Sequence, residues 1–163
     1  MWRPARRARS WATDGTPEGT RKVRQMAFGG QPSFVTEVER VGDRIFFTLY
    51  NRRTGAELWV TDGTWPGTRQ VTEIAAGTAS AFPSDLAAFD GILVFAASDG
   101  VHGKELWVSD GTAEGTRMIQ DIEPGALSSA PRDFTASGAL IYFRADTKSG
   151  SELWAVPRDR LAP

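Results

Sequence analysis

With 163 residues, 40% of them hydrophobic and 24% charged, the chain is long enough for one packed domain and too short for two comfortable ones. A net charge of −1 removes the electrostatic case for nucleic acid, and the longest apolar run, Ile92–Ala97, falls far short of the roughly 20 residues a membrane-spanning helix needs. The chain has no cysteine, which excludes thiol catalysis, and a single histidine, His102, which excludes a multi-histidine metal centre.

Residues 1–12 read as an Arg-rich tail, with Arg3, Arg6, Arg7 and Arg9 close together and no acid among them. Apart from those four, 15 basic side chains face 20 acidic ones, a balance that repels polyanions. The tail has no apolar stretch and so reads as no secretory signal; Arg6-Arg7 lacks the hydrophobic segment of a twin-arginine leader. From residue 13 to 163 the chain repeats itself. Trp11-Ala12-Thr13-Asp14-Gly15-Thr16 returns as Trp59-Val60-Thr61-Asp62-Gly63-Thr64 and Trp107-Val108-Ser109-Asp110-Gly111-Thr112, and Glu152-Leu153-Trp154 closes the series. The four tryptophans stand 48, 48 and 47 residues apart. Each full copy runs on into Gly-Thr-Arg, ending at Arg21, Arg69 and Arg117. A fixed period of this length marks a stacked or radial repeat architecture.

The modules are expected at about 32–74, 83–122 and 131–156, the last closed by a strand from 20–26. Helical spacing is sustained nowhere, while short β-branched and aromatic runs bounded by Gly, Asp and Asn recur. Each module reads as four strands. In the middle one they lie at about 84–89, 92–97 after the Asp90-Gly91 turn, 104–109, and 116–122. Alternation along the third strand puts Glu105 and Trp107 on one face and Leu106 and Val108 on the other, so both faces are apolar and neighbouring sheets must cover both. The Gly-Thr-Arg arginines are expected across the hairpin, over the tryptophan or pairing the glutamate, as Glu57–Arg69 and Glu105–Arg117.

These residues resemble the ELWxxDGT-repeat family: the pattern stands as Glu57 to Thr64 and Glu105 to Thr112, and continues through Gly115-Thr116-Arg117-Met118-Ile119-Gln120-Asp121-Ile122. The first copy departs, with Arg9-Ser10-Trp11 in place of Glu-Leu-Trp. The resemblance implies bacterial, exported or surface-associated proteins of many copies, with no defined reaction. The strand order also resembles that of β-propeller blades. The expectation is therefore an all-β partial propeller of tandem four-stranded antiparallel sheets, three modules of 48 residues that cannot close a ring alone. A fragment of a longer propeller, self-association to complete a ring, and an open arc are the three ways to accommodate that number.

Structural roles are expected for the repeated Glu57, Trp59, Asp62, Gly63, Arg69, Glu105, Trp107, Asp110, Gly111, Arg117 and Trp154. Binding is expected on the loop face that carries Asn51, Arg53, Asp99, His102 and Asp146, since variable loops on a rigid scaffold are where ligands meet proteins. Asp62, Asp99, Asp110 and Asp146 each open a Gly-containing turn, which makes calcium the one ion worth weighing. A single carboxylate per loop falls short of a calcium loop, so no cofactor or metal site is expected. His102 reads as a turn residue before it reads as a base, and no nucleophile or phosphate-loop pattern occurs. The expected function is a non-catalytic scaffold or binding module for carbohydrate or protein. The alternatives are the blades of a propeller-type carbohydrate-active hydrolase or lyase, whose paired carboxylates come from distant loops, and a truncated gene product.

Overall fold

The structure is a computed structural model that describes residues 9–25 and 33–162. Thirteen strands are assigned among them, in four antiparallel sheets. The first sheet is the two-stranded pair β1 (Arg9–Ala12) and β2 (Arg21–Gln25). The second holds β3 (Ser33–Val41), β4 (Arg44–Asn51), β5 (Gly55–Thr61) and the short β6 (Arg69–Gln70), paired in that order. The third repeats the arrangement with β7 (Ser84–Phe89), β8 (Ile92–Ala97), β9 (Glu105–Ser109) and β10 (Arg117–Gln120). The fourth stops at three strands: β11 (Arg132–Ser137), β12 (Leu140–Thr147) and β13 (Gly150–Pro157).

Each sheet is a meander because tight turns join its strands. Between β7 and β8 the turn is Asp90-Gly91, with φ of 51° and 81°, the left-handed pair that matches the twist of a two-residue hairpin. The first strand of each of the last three sheets, β3, β7 and β11, carries a register shift, and in β7 and β11 it falls at Asp85 and Asp133, both at positive φ. A bulge at an equivalent place in every module bends the edge strand alike each time.

The sheets shield one another, and the third strand decides how. Leu58 and Val60 of β5 share a core with Phe95 of β8 and Trp107 of β9. One sheet further on, Leu106 and Val108 of β9 meet Phe143 of β12, with Trp154 of β13 packed against them. The alternation read from the sequence thus holds: leucine and valine face the following sheet, and tryptophan faces the preceding one. Trp59 packs with Phe47 and Leu49 on the far side of its own sheet, where Phe47 and Trp11 line one hollow.

Two expectations change. Arg9–Ala12, assigned to the tail, form β1, and residues 1–8 lie outside the described residues. The strand expected at 20–26 to close the last module pairs with β1 instead, because the Asp14-Gly15-Thr16 turn folds it back on its own hairpin. After β13 the chain turns away through a 3-10 turn at Arg158–Arg160. Leu161 then enters the core between the third and fourth sheets, and Arg158 pairs with Asp90.

Trp107 is the residue on which the middle interface closes. Trp107→Ala should lower the unfolding free energy by about 3–5 kcal/mol, whereas Val101→Ala at an exposed turn should stay within about 0.5 kcal/mol. Urea denaturation of both variants checks this, and equal losses would remove the tryptophan from its place in the architecture.

Candidate functional site

The repeated Asp-Gly-Thr segment is a self-contained turn. Asp14 Oδ1 accepts the amide of Thr16 at 2.9 Å and its hydroxyl at 2.7 Å. Thr16 Oγ1 accepts the amide of Gly19 at 3.0 Å, and the hydroxyl of Thr20 donates to Thr16 O at 2.6 Å. The same bonds recur around Asp62 and Asp110 within 0.2 Å. The second glycine must be glycine, since a Cβ at Gly67 would stand 1.9 Å from the Asp62 carboxylate. Hydrogen bonds from the hydroxyl and amide of the threonine two residues on hold Asp14, Asp62 and Asp110 below the ordinary carboxylate range. Among the described residues no three His, Asp or Glu side chains gather as a metal site would require.

Glu57 and Glu105, expected to pair with arginines, instead bind backbone. Both are fully buried. Glu57 accepts the amides of Ile74 and Ala75 at 3.0 and 3.1 Å; Glu105 accepts those of Ile122 and Ser129 at 2.8 and 2.9 Å, and the Ser129 hydroxyl at 2.6 Å. A carboxylate in a strand covered on both faces needs such donors, and the loop to the next sheet supplies them. Burial pushes Glu57 up to about 7, against the pull of the amides of Ile74, Ala75 and Ala81. The equivalent Glu152, on the last sheet, is exposed.

The arginines reach between modules rather than across their own hairpins. Arg69 donates to Gly111 O at 2.6 Å and Arg44 to Asp110 O at 2.6 Å, so two cations of one sheet hold the turn of the next. Arg24 holds the preceding turn through Trp65 O and Thr68 O, with its guanidinium 4.7 Å from the centre of the Trp65 ring. Arg117 reaches Arg160 O and Ala162 O. None of these lies over the repeat tryptophans.

The five candidates on the loop face divide. Asn51 is buried; its side chain caps its own turn by accepting the amides of Arg53 and Thr54 and bonding the Thr54 hydroxyl. Asp146 is bound by both guanidinium nitrogens of Arg132, at 2.8 and 3.0 Å. Arg53 lines a hollow with Glu73 and Gly77. Asp99 accepts the amides of Val101 and His102, and its second oxygen meets His102 Nδ1 at 2.8 Å. That bond raises the proton affinity of His102; at Asp99, burial works the other way but the bonds from His102 outweigh it. Ser98 Oγ donates to the backbone carbonyl of His102, so this hydroxyl belongs to the turn and not to an acid–base pair.

His102 lines a hollow of about 310 Å³ with Phe82, Val101 and Lys104. Phe82 and Lys104 also wall a second hollow of about 270 Å³, a groove between the second and third sheets shared with Tyr50, Thr36, Glu37 and Ser84. Lys104 Nζ donates to Ser84 Oγ at 3.1 Å. Tyr50 stacks on Phe34, with ring centres 6.3 Å apart and planes 26° apart. Phe82 is 59% exposed and sits at φ 47°, just before Pro83. The same left-handed setting recurs at Ala130 before Pro131, at φ 45°, so this backbone conformation belongs to the repeat. Sequence reasoning placed Asp99 and His102 beside the groove but missed Phe34, Tyr50 and Phe82; the Phe-Pro pair was visible, but its left-handed, outward setting was not.

No family model matches the chain, and a search of curated proteins found no match.

The raised value at Glu57 sets a pH dependence. The favourable contribution of a group whose folded value is raised is complete below its ordinary value of 4.5 and is lost as pH rises through about 7. Melting temperature should therefore fall between pH 5 and 8, and Glu57→Gln should flatten that part of the profile. A slope that survives unchanged in the variant would place the titration elsewhere.

Proposed function

We propose that the chain is a run of β-propeller blades of the ELWxxDGT-repeat type, and that it binds a saccharide in the groove between the second and third sheets without performing chemistry of its own. One observation carries this reading: the recurring polar groups of the two complete modules are engaged inside the scaffold, while the rings of Tyr50 and Phe82 stand exposed at one hollow, and Tyr50 has no aromatic counterpart at the equivalent Ser98 and Asp146. Glu57, Glu105 and the turn aspartates all hold backbone. Tyr50, Phe82 and Lys104 face solvent or the groove.

The lining supports a sugar in particular. Flat aromatic faces accept the apolar side of a pyranose ring, while the hydroxyls of Thr36 and Ser84, the ammonium of Lys104 and the carboxylate of Glu37 offer hydrogen bonds around it. A mostly apolar cleft with a few convergent polar groups is the usual form of a small-molecule site. Export to the cell surface, which the resemblance implies, would bring such a groove to polysaccharide.

A glycan array followed by calorimetric titration of the best binder tests the proposal. Phe82→Ala should weaken binding about tenfold or more, the size expected for loss of a central aromatic anchor, and Lys104→Ala should weaken it less. Binding that is indifferent to both substitutions, or turnover of the bound glycan, would reject it.

A further inference from the structure

The outer edge of β13 carries no strand among the described residues, although β6 and β10 cover the same edge of β5 and β9. Residues 158–162 do not run along it: Leu161 is drawn into the core and Arg117 holds Arg160 O and Ala162 O. Beside that edge lies a hollow of about 260 Å³ lined by Ile119, Ile122, Trp154 and Val156. One interface back, Met118 of β10 pairs with Trp107 and packs on the core that holds Val71 and Ile74, the residues equivalent to Ile119 and Ile122. The hollow is thus the place of a fourth strand and of the side chain that would lie over Trp154.

The chain contains one fourth-type strand without a full sheet behind it. β2 pairs only with β1, as Trp11 with Lys22 and Ala12 with Arg21. Trp11-Ala12 and Trp154-Ala155 are the same dipeptide at the same place in the repeat, so β13 offers β2 the identical register. It offers more besides: β12 and β11 stand behind β13, whereas a two-stranded ribbon is marginal by itself. Trp11 is 57% exposed, unlike its equivalents Trp59 and Trp107, at 3% and 8%.

We propose that two copies of the chain exchange β2, each laying it along the outer edge of the other's β13. In the composite sheet Lys22 faces Trp154, its stem filling the hollow, and Arg21 faces Ala155, as Arg117 faces Val108. The exchange is reciprocal and therefore two-fold symmetric, the closed form of strand swapping. The composite sheet of β11, β12, β13 and the partner's β2 then has four strands, as the second and third sheets do. The proposal is independent of what the groove binds.

The chain has no cysteine, so introduced thiols report unambiguously. Light scattering on the unaltered protein should give twice 17.8 kDa across the concentration range. Mild oxidation of Arg21→Cys/Ala155→Cys should yield a covalent pair of chains, while Ala12→Cys/Arg21→Cys should cross-link poorly. A monomer that closes only the 12–21 bridge overturns the exchange. So does a 21–155 bridge formed within one chain, which places the strand in cis, and so does an open ladder of higher masses.

Discussion

The contact on which this molecule depends is the meeting of a tryptophan from one sheet with the leucine and valine of the sheet before it. A strand whose two faces are both apolar cannot fold alone, and the alternation Glu-Leu-Trp-Val-Thr ensures that both faces of β5 are apolar. Neighbouring sheets satisfy them in turn: Leu58 and Val60 find Trp107, and Leu106 and Val108 find Phe143 and Val156. Cohesion is therefore nearest-neighbour in character, as in other repeat proteins. The buried carboxylates belong to the same logic. Once Glu57 and Glu105 are enclosed they must find donors, and the donors are the amides of the loop that starts the next sheet. One residue type thereby fixes where each sheet begins relative to the last.

Much of this was legible in the residues. The period gave the modules, and Asp90-Gly91 gave the hairpin that separates β7 at Ser84–Phe89 from β8 at Ile92–Ala97. Alternation around Trp107 gave the two-faced burial. The partners of charged groups were not legible, because pairing by register assumes that side chains reach across their own hairpin. Arg69 extends to Gly111 O of the next sheet, a choice made by the spacing between sheets, which no single module encodes. The pairing of β2 was missed for a related reason: within one chain the turn at Asp14 closes its bonds locally and folds β2 back onto β1. At the groove, the candidates were chosen by charge and loop position. Asn51 and Asp146 proved to be engaged by Thr54 and Arg132, and the exposed rings of Phe34, Tyr50 and Phe82 depend on backbone direction, which composition does not reveal.

A division follows between residues that recur and residues that do not. Recurring polar groups are bound to backbone and leave little for a ligand. The Asp99–His102 pair occurs in one module only, and with Phe82 and Lys104 it borders the groove. The scaffold can thus change its loops without disturbing the contacts between its sheets.

The Asp-Gly-Thr turn also bears on how the chain finds its structure. All its hydrogen bonds close within eight residues, from Thr13 to Thr20, Thr61 to Thr68 and Ser109 to Thr116. Loops of about that length close in roughly 10–100 ns, long before distant strands meet. Three such nuclei, spaced evenly, let hairpins appear independently along the polypeptide, and the slow event is their docking. Folding then has no privileged end: each hairpin is ready before its neighbour, and assembly proceeds outward from whichever pair of sheets first traps a tryptophan between them.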